Sequence, residues 1–123
     1  MQNCNSKFKS DLLSRCYNFG LAIIDLTDKF PKKRSAWIIA DQIMRSATSI
    51  GANITEGKAS SSRLEFKKFY EIALKSANES LYWLNMIKDS SIFTGSRIDE
   101  LIKENDEICC MLAAGVIKLK KKN

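Results

Sequence analysis

Five polar side chains recur at three- and four-residue steps through residues 42–57, QIMRSATSIGANITEG: Gln42, Arg45, Ser49, Asn53 and Glu56. On a helix they form one stripe. A solvated helix face usually carries repeated Lys and Glu. This one carries an amide, a guanidinium, a hydroxyl, a second amide and a carboxylate. Such a set suits an ordered, partly buried hydrogen-bond network, because it supplies both donors and acceptors. The network either ties its helix to neighbouring elements or orients a ligand. With no reactive residue beside it, the tying role is the simpler reading.

Other routes to chemistry close one after another. The chain has no histidine, so the commonest general base and metal ligand is missing. Di-iron carboxylate bundles need paired Glu-x-x-His motifs, which a chain without histidine cannot supply. The four cysteines, Cys4, Cys16, Cys109 and Cys110, lack zinc-knuckle spacing. Cys16 and Cys109 fall on apolar helical positions and read as small buried hydrophobes. A nucleophilic cysteine would lack its histidine base, no serine occupies a strained elbow, and no glycine-rich phosphate loop is present. The expectation is a protein with no catalytic residue, cofactor, metal or small-molecule substrate.

The elements that carry these residues follow from periodicity. Phe8, Leu12, Cys16, Phe19, Ile23, Leu26 and Phe30 make a heptad-like seam, which predicts a first helix over about 6–29. Pro31 stops it by excluding Phe30 from helical dihedrals. A second helix, about 34–56, carries Ile39, Ile43, Ala47, Ile50 and Ile54 on a stripe beside the polar one, and Gly57 is expected to end it. Ser62 and Glu65 form a capping box that opens a third helix, about 62–89. Its seam is Phe66, Phe69, Ala73, Ser76, Ser80, Trp83 and Ile87, whose small members permit close helix approach. Residues 90–95 break the pattern, Ser96 and Asp99 suggest a new cap, and Ile98, Leu101, Asn105, Ile108, Leu112, Gly115 and Leu119 mark a fourth helix, about 96–119. Four helices of similar length with short loops predict an all-α, up-down-up-down antiparallel four-helix bundle. At 123 residues it is expected to be a single domain over 1–123.

Hydrophobic residues make up 45% of the chain, which argues against disorder, and one Pro and five Gly argue against a turn-rich β fold. No apolar run is long enough to span a membrane, and MQNCNSKFKSDLL lacks the apolar core of a signal peptide. A cytoplasmic protein is the expectation. Trp37, Met44, Tyr70, Tyr82, Trp83 and Met86 exceed what one small bundle encloses, which points to a homo-oligomer. The net charge is +6, and the topology distributes it unevenly. The pole holding both termini and the second loop collects Lys7, Lys9, Lys58, Arg63, Lys67, Lys68, Lys118, Lys120, Lys121 and Lys122. The other pole mixes Lys32, Lys33, Arg34, Lys88 and Arg97 with several acids. A basic cap fits sequence-independent contact with an RNA or DNA backbone. A solvated surface ending in a lysine-rich tail accounts for the same charges without a ligand.

The residues QIMRSATSIGANITEG, the segment from Ser62 to Phe66 and IALKSANES together resemble the four-helix-bundle family of 23S rRNA intervening-sequence proteins, over about residues 10–117. Gln42, Arg45, Ser49, Asn53, Glu56, Gly57, Ser76 and Glu79 match its recurring polar pattern. Two positions depart, with Gly51 where members carry a helix-kinking Pro and Thr55 where they carry Ala. The family is itself similar to the accessory protein of diversity-generating retroelements, a basic homopentamer that binds a reverse transcriptase and nucleic acid. The resemblance therefore implies a pentameric, RNA-associated adaptor that partners itself and an RNA-handling protein. The alternative is a structural or protein-interaction module that binds no nucleic acid. Arg45 is expected to lie level with about Leu74 and to pair with Glu79 in preference to Glu71 or Asn78.

Overall fold

The structure, a computed structural model, describes residues 11–121. It contains four helices: α1 (Asp11–Asp28), α2 (Arg34–Lys58), α3 (Arg63–Asp89) and α4 (Ser96–Lys120). Each packs against its neighbour in the chain and α1 closes on α4, while among the described residues the backbones of the diagonal pairs stay further apart. This is the antiparallel four-helix bundle that the seams require. Residues 6–10 of the expected first helix, with Lys7, Phe8 and Lys9, lie outside the described residues. So do Cys4 and Lys122.

The core is built where the seams converge. Phe19, Ile23 and Leu26 from α1 meet Ile43, Ile50 and Ile54 from α2, Ala73, Ala77, Leu84 and Ile87 from α3, and Ile108 and Leu112 from α4. Cys16 and Cys109 are buried within it, as their positions imply, whereas Cys110 is exposed. Burial pushes the Cys16 thiol up to about 12, because an apolar surround penalises the thiolate. No helix of the described residues is long and apolar enough to cross a membrane.

The helix ends show what local chemistry sets. Before Pro31, the Lys29 and Phe30 amides donate to the Leu26 and Thr27 carbonyls, closing α1. The Ser62 hydroxyl accepts from the Glu65 amide at 3.1 Å. The Glu65 carboxylate accepts in return from the Ser61 amide, also at 3.1 Å, one residue earlier than the reciprocal box predicts. Gly95, at φ 119°, starts α4 in a conformation that side-chain-bearing residues avoid. No side chain of Ser96 or Asp99 caps that end.

Gly57 corrects the expected end of α2. The helix runs through it to Lys58, with Ala59 at the C-cap. A Cβ on Gly57 would stand 3.0 Å from Phe69 Cβ and 3.1 Å from Phe66 Cδ1. Glycine is there to let α3 approach, not to supply a left-handed turn. Gly51 is likewise helical; a Cβ there would meet Cys16 Cβ at 3.5 Å. Thr55 Oγ1 donates to the Gly51 carbonyl at 2.9 Å, and α2 continues through the position where family members carry Pro.

Candidate functional site

The expected polar stripe divides into a half that faces α3 and a half that faces outward. Ser49 Oγ is the hub: it accepts from Ser76 Oγ at 3.0 Å and from Asn53 Nδ2 at 2.9 Å. Asn53 Nδ2 also donates to the Ser49 carbonyl at 2.8 Å. One turn along the same α2–α3 seam, Ser80 Oγ lies 2.9 Å from Ser46 Oγ and 2.9 Å from the Ser76 carbonyl. Ser46 and Ser80 are both buried. Each neutral bond contributes about 1 kcal/mol net, and leaving one of these hydroxyls unpaired would cost more. The seam is a clamp between α2 and α3, since hydroxyls and an amide with no adjacent base offer no route to proton transfer.

Arg45 and Glu56 are exposed and Gln42 is half-buried. At about 100° per residue, Arg45 sits some 40° outward of Ser49, which carries it past the edge of α3. The expected Arg45–Glu79 pair does not form. Glu79 Oε2 instead accepts from Trp83 Nε1 at 2.9 Å, one turn along its own helix. An i,i+4 contact orders fewer side-chain torsions than a bridge between two exposed chains, whose pairing gains little in water. Ser46 and Ser80 are members of the seam that the stripe does not predict. Ser80 stood on the α3 seam, but Ser46 lies off the polar stripe, and only the crossing of the helices pairs them.

A second polar cluster carried no signal in the sequence. Arg15 on α1 spans to α4, donating to both Glu104 oxygens (3.0 and 2.6 Å) and to Glu107 Oε1 at 2.6 Å. The carboxylates push the Arg15 guanidinium further up from its ordinary value. Those side chains are 89 and more residues apart in sequence, on the least extensive of the four helix seams, which they pin.

The basic pole is assembled by the ends of three helices. Arg63, Lys67 and Lys120 line one shallow cleft with Leu64 and Leu119. Lys58, Ser60, Ser61, Ser62 and Arg63 line an adjoining one with Phe66. Arg63 Nη2 donates to the Lys118 carbonyl at 3.3 Å, placing its charge at the negative end of α4. Lys58, Lys68, Lys118, Lys120 and Lys121 are exposed. Among the described residues the one ion pair at this pole is Lys67–Glu71 at 4.0 Å, while Glu56 and Glu65 stand on the same pole without pairing to its cations. Lys118 and Lys120 belong to the last turn of α4 rather than to a tail. At the opposite pole Lys29, Lys88 and Arg97 are each matched by an acid, Asp25, Asp99 and Glu100, at 2.6, 2.7 and 3.1 Å.

A third surface is apolar. Between α1 and α2, Tyr17, Gly20, Leu21, Ile24, Thr48, Ala52 and Thr55 line a groove of about 350 Å³. Leu21 and Ile24 are exposed there, and Trp37, Met44, Tyr82 and Met86 are exposed elsewhere. Tyr70 and Trp83, expected among the uncovered residues, instead pack partly buried against the core.

A family model described as 23S rRNA-intervening sequence protein matches residues 9–114. The fold is similar to a crystal structure from Bacteroides thetaiotaomicron, described as a protein with unknown function from the S23 ribosomal protein family. That structure has a TM-score of 0.80 and 30% identity, over 85% of this chain and 97% of that one. No curated protein matches the chain.

Proposed function

The chain belongs to the 23S rRNA-intervening sequence protein family, and on that premise we propose that it is a non-enzymatic, basic adaptor. In this reading it assembles with copies of itself and contacts RNA, or an RNA-handling protein, through sequence-independent phosphate contacts. The observation that carries the reading is the pole at which Arg63, Lys67 and Lys120 share a cleft, where among the described residues Lys67–Glu71, at 4.0 Å, is the one ion pair. Unmatched cations release the counterions of a phosphate backbone, which favours binding without reading bases. The α1–α2 groove supports self-assembly, since exposed apolar side chains gathered at one face are stabilised by a partner surface. A ring pentamer, as the resemblance implies, would aim every basic pole one way and multiply weak contacts.

Binding to two 20-base-pair RNA duplexes of unrelated sequence tests this across a salt series. Both should bind alike, with log affinity falling linearly against log salt. Lys67→Glu with Lys68→Glu should nearly abolish binding while helicity holds, and deletion of residues 118–123 should make the slope shallower. Unchanged duplex binding in the double variant would overturn the phosphate reading. Light scattering tests assembly separately: a 13.9 kDa species at micromolar concentration ends it. A protein-interaction module without nucleic-acid binding is the second reading, favoured by the same groove, and it predicts an oligomer that ignores both duplexes.

A further inference from the structure

At the far end of α2 from the basic pole, Trp37 is 63% exposed, more than any other large apolar side chain of the described residues. It lies one turn after Lys33 and Arg34, and its amide donates to the Lys33 carbonyl at 3.1 Å. Lys32, Lys33 and Arg34 are all exposed. Among the described residues none of the three makes an ion pair. This is unusual for its surroundings, where Lys29, Lys88 and Arg97 each hold a carboxylate. Trp83 offers a second contrast: it is half-buried and its indole N–H serves Glu79. Among the described residues the Trp37 indole N–H has no hydrogen-bond partner, and the side chain is not among those that form or pack against the core.

A partner that covers Trp37 must satisfy two conditions together. It must present a flat apolar surface to the indole, and it must bring negative charge to the unmatched cations Lys32, Lys33 and Arg34 that precede it. An apolar protein surface meets only the first condition. The edge of a nucleic-acid duplex meets only the second, because its bases are stacked on one another. A single strand meets both, since its bases are free to stack on an aromatic ring while its phosphates reach the flanking cations. Asp41, one turn beyond Trp37, bounds the patch on the other side and leaves the charge toward residues 32–34. From this juxtaposition we infer that Trp37, with Lys32, Lys33 and Arg34, forms a stacking site for an unpaired nucleotide of single-stranded nucleic acid. The site is distinct from the phosphate-only pole: α2 has 25 residues, so at 1.5 Å per residue its two ends stand about 36 Å apart.

The chain has two tryptophans, so Trp83→Phe leaves Trp37 as the sole indole reporter. Titration of that variant with a 12-nucleotide uridylate RNA should quench its emission, and the same length of duplex RNA should not. Deoxyuridylate should quench alike, since stacking does not use the 2′-hydroxyl. In the otherwise unchanged chain, Trp37→Ala should lower affinity for the single strand by about 5- to 150-fold and leave duplex affinity unchanged. Replacing Lys32, Lys33 and Arg34 by Glu should lower single-strand affinity at low salt, again sparing the duplex. Because Trp37 is outside the core, circular dichroism should be unaltered. Equal quenching by duplex, or single-strand affinity indifferent to Trp37→Ala, overturns the proposal. So does a Trp37→Ala protein that changes only its sedimentation, which assigns the indole to a protein interface. Loss of duplex binding in the Lys67/Lys68 variant bears on the basic pole alone, and the two readings fail independently.

Discussion

Gly115 and Tyr70 make opposing demands that a double-mutant cycle separates. In a helix interior, Gly→Ala in open surroundings stabilises by about 1 kcal/mol, because alanine has less backbone freedom to lose. At Gly115 the surroundings are closed. A Cβ there would stand 2.6 Å from Tyr70 Cε2 and 3.1 Å from Cδ2. The ring is held edge-on by Phe66, centroid to centroid 5.0 Å, and is packed against the core. Relieving the overlap requires the ring to leave that position, and overpacking of this kind costs about 1–3 kcal/mol. The clash therefore wins, and Gly115→Ala should destabilise the chain by about 1 kcal/mol net. In a Tyr70→Ala background the ring is gone and only the propensity remains, so the same substitution should stabilise by about 1 kcal/mol. The coupling energy is then about 2 kcal/mol. Urea unfolding of the four proteins at one concentration reads each step as a midpoint shift of roughly 0.5–1 M, with opposite sign in the two backgrounds. If Gly115→Ala raises the midpoint equally with and without Tyr70, the close approach of α3 to α4 at this point is not what selects glycine.

Two further outcomes follow from the core. The Cys16 thiol, held near 12 in the fold by burial, ionises near 9 once unfolded. The unfolded state therefore loses its proton first, and the stability held below about pH 9 should fall as pH rises from 9 toward 12, by up to about 1.4 kcal/mol per unit. Cys16→Ala should flatten that slope in pH-dependent thermal melts. Asn105 is fully buried, donating Nδ2 to the Ala77 carbonyl at 3.0 Å, while its Oδ1 has no partner. An unpaired buried acceptor costs about 1–3 kcal/mol, and Ala77 keeps its helical partner if the amide is removed. Asn105→Leu, of similar branching, should therefore raise the melting temperature, and a lowered one would show that the Ala77 bond outweighs the orphaned oxygen.

Much of the architecture was legible because its causes are local. The three- and four-residue spacing of Phe19, Ile23 and Leu26 or of Ile43, Ile50 and Ile54 needs only the helical repeat to define a buried face. Pro31 and Ser62 act within one turn of themselves, so the loops they bound were legible too. The seam of Ser49, Asn53 and Ser76 was foreshadowed by residue type, since a stripe without repeated Lys and Glu is ill-suited to bulk water. The clustering of Arg63, Lys67 and Lys120 followed from topology alone.

What tertiary structure decided were the meetings between helices, which depend on crossing geometry and on side-chain direction. Gly57 carries the same composition signal as a helix stop, yet Phe66 and Phe69 of another helix make it a contact point. Arg45 and Ser49 differ by one turn on one stripe, and a drift of about 40° leaves one in water and the other in the seam. Glu79 stood within reach of Arg45 by register, but Trp83 on its own helix took its carboxylate. Arg15, Glu104 and Glu107 are unremarked charges in the chain, and become a bridge only when α4 returns beside α1. Periodicity reports which face is inward; it does not say which atom of a distant helix will stand opposite, because that is settled by packing shapes that no single helix contains.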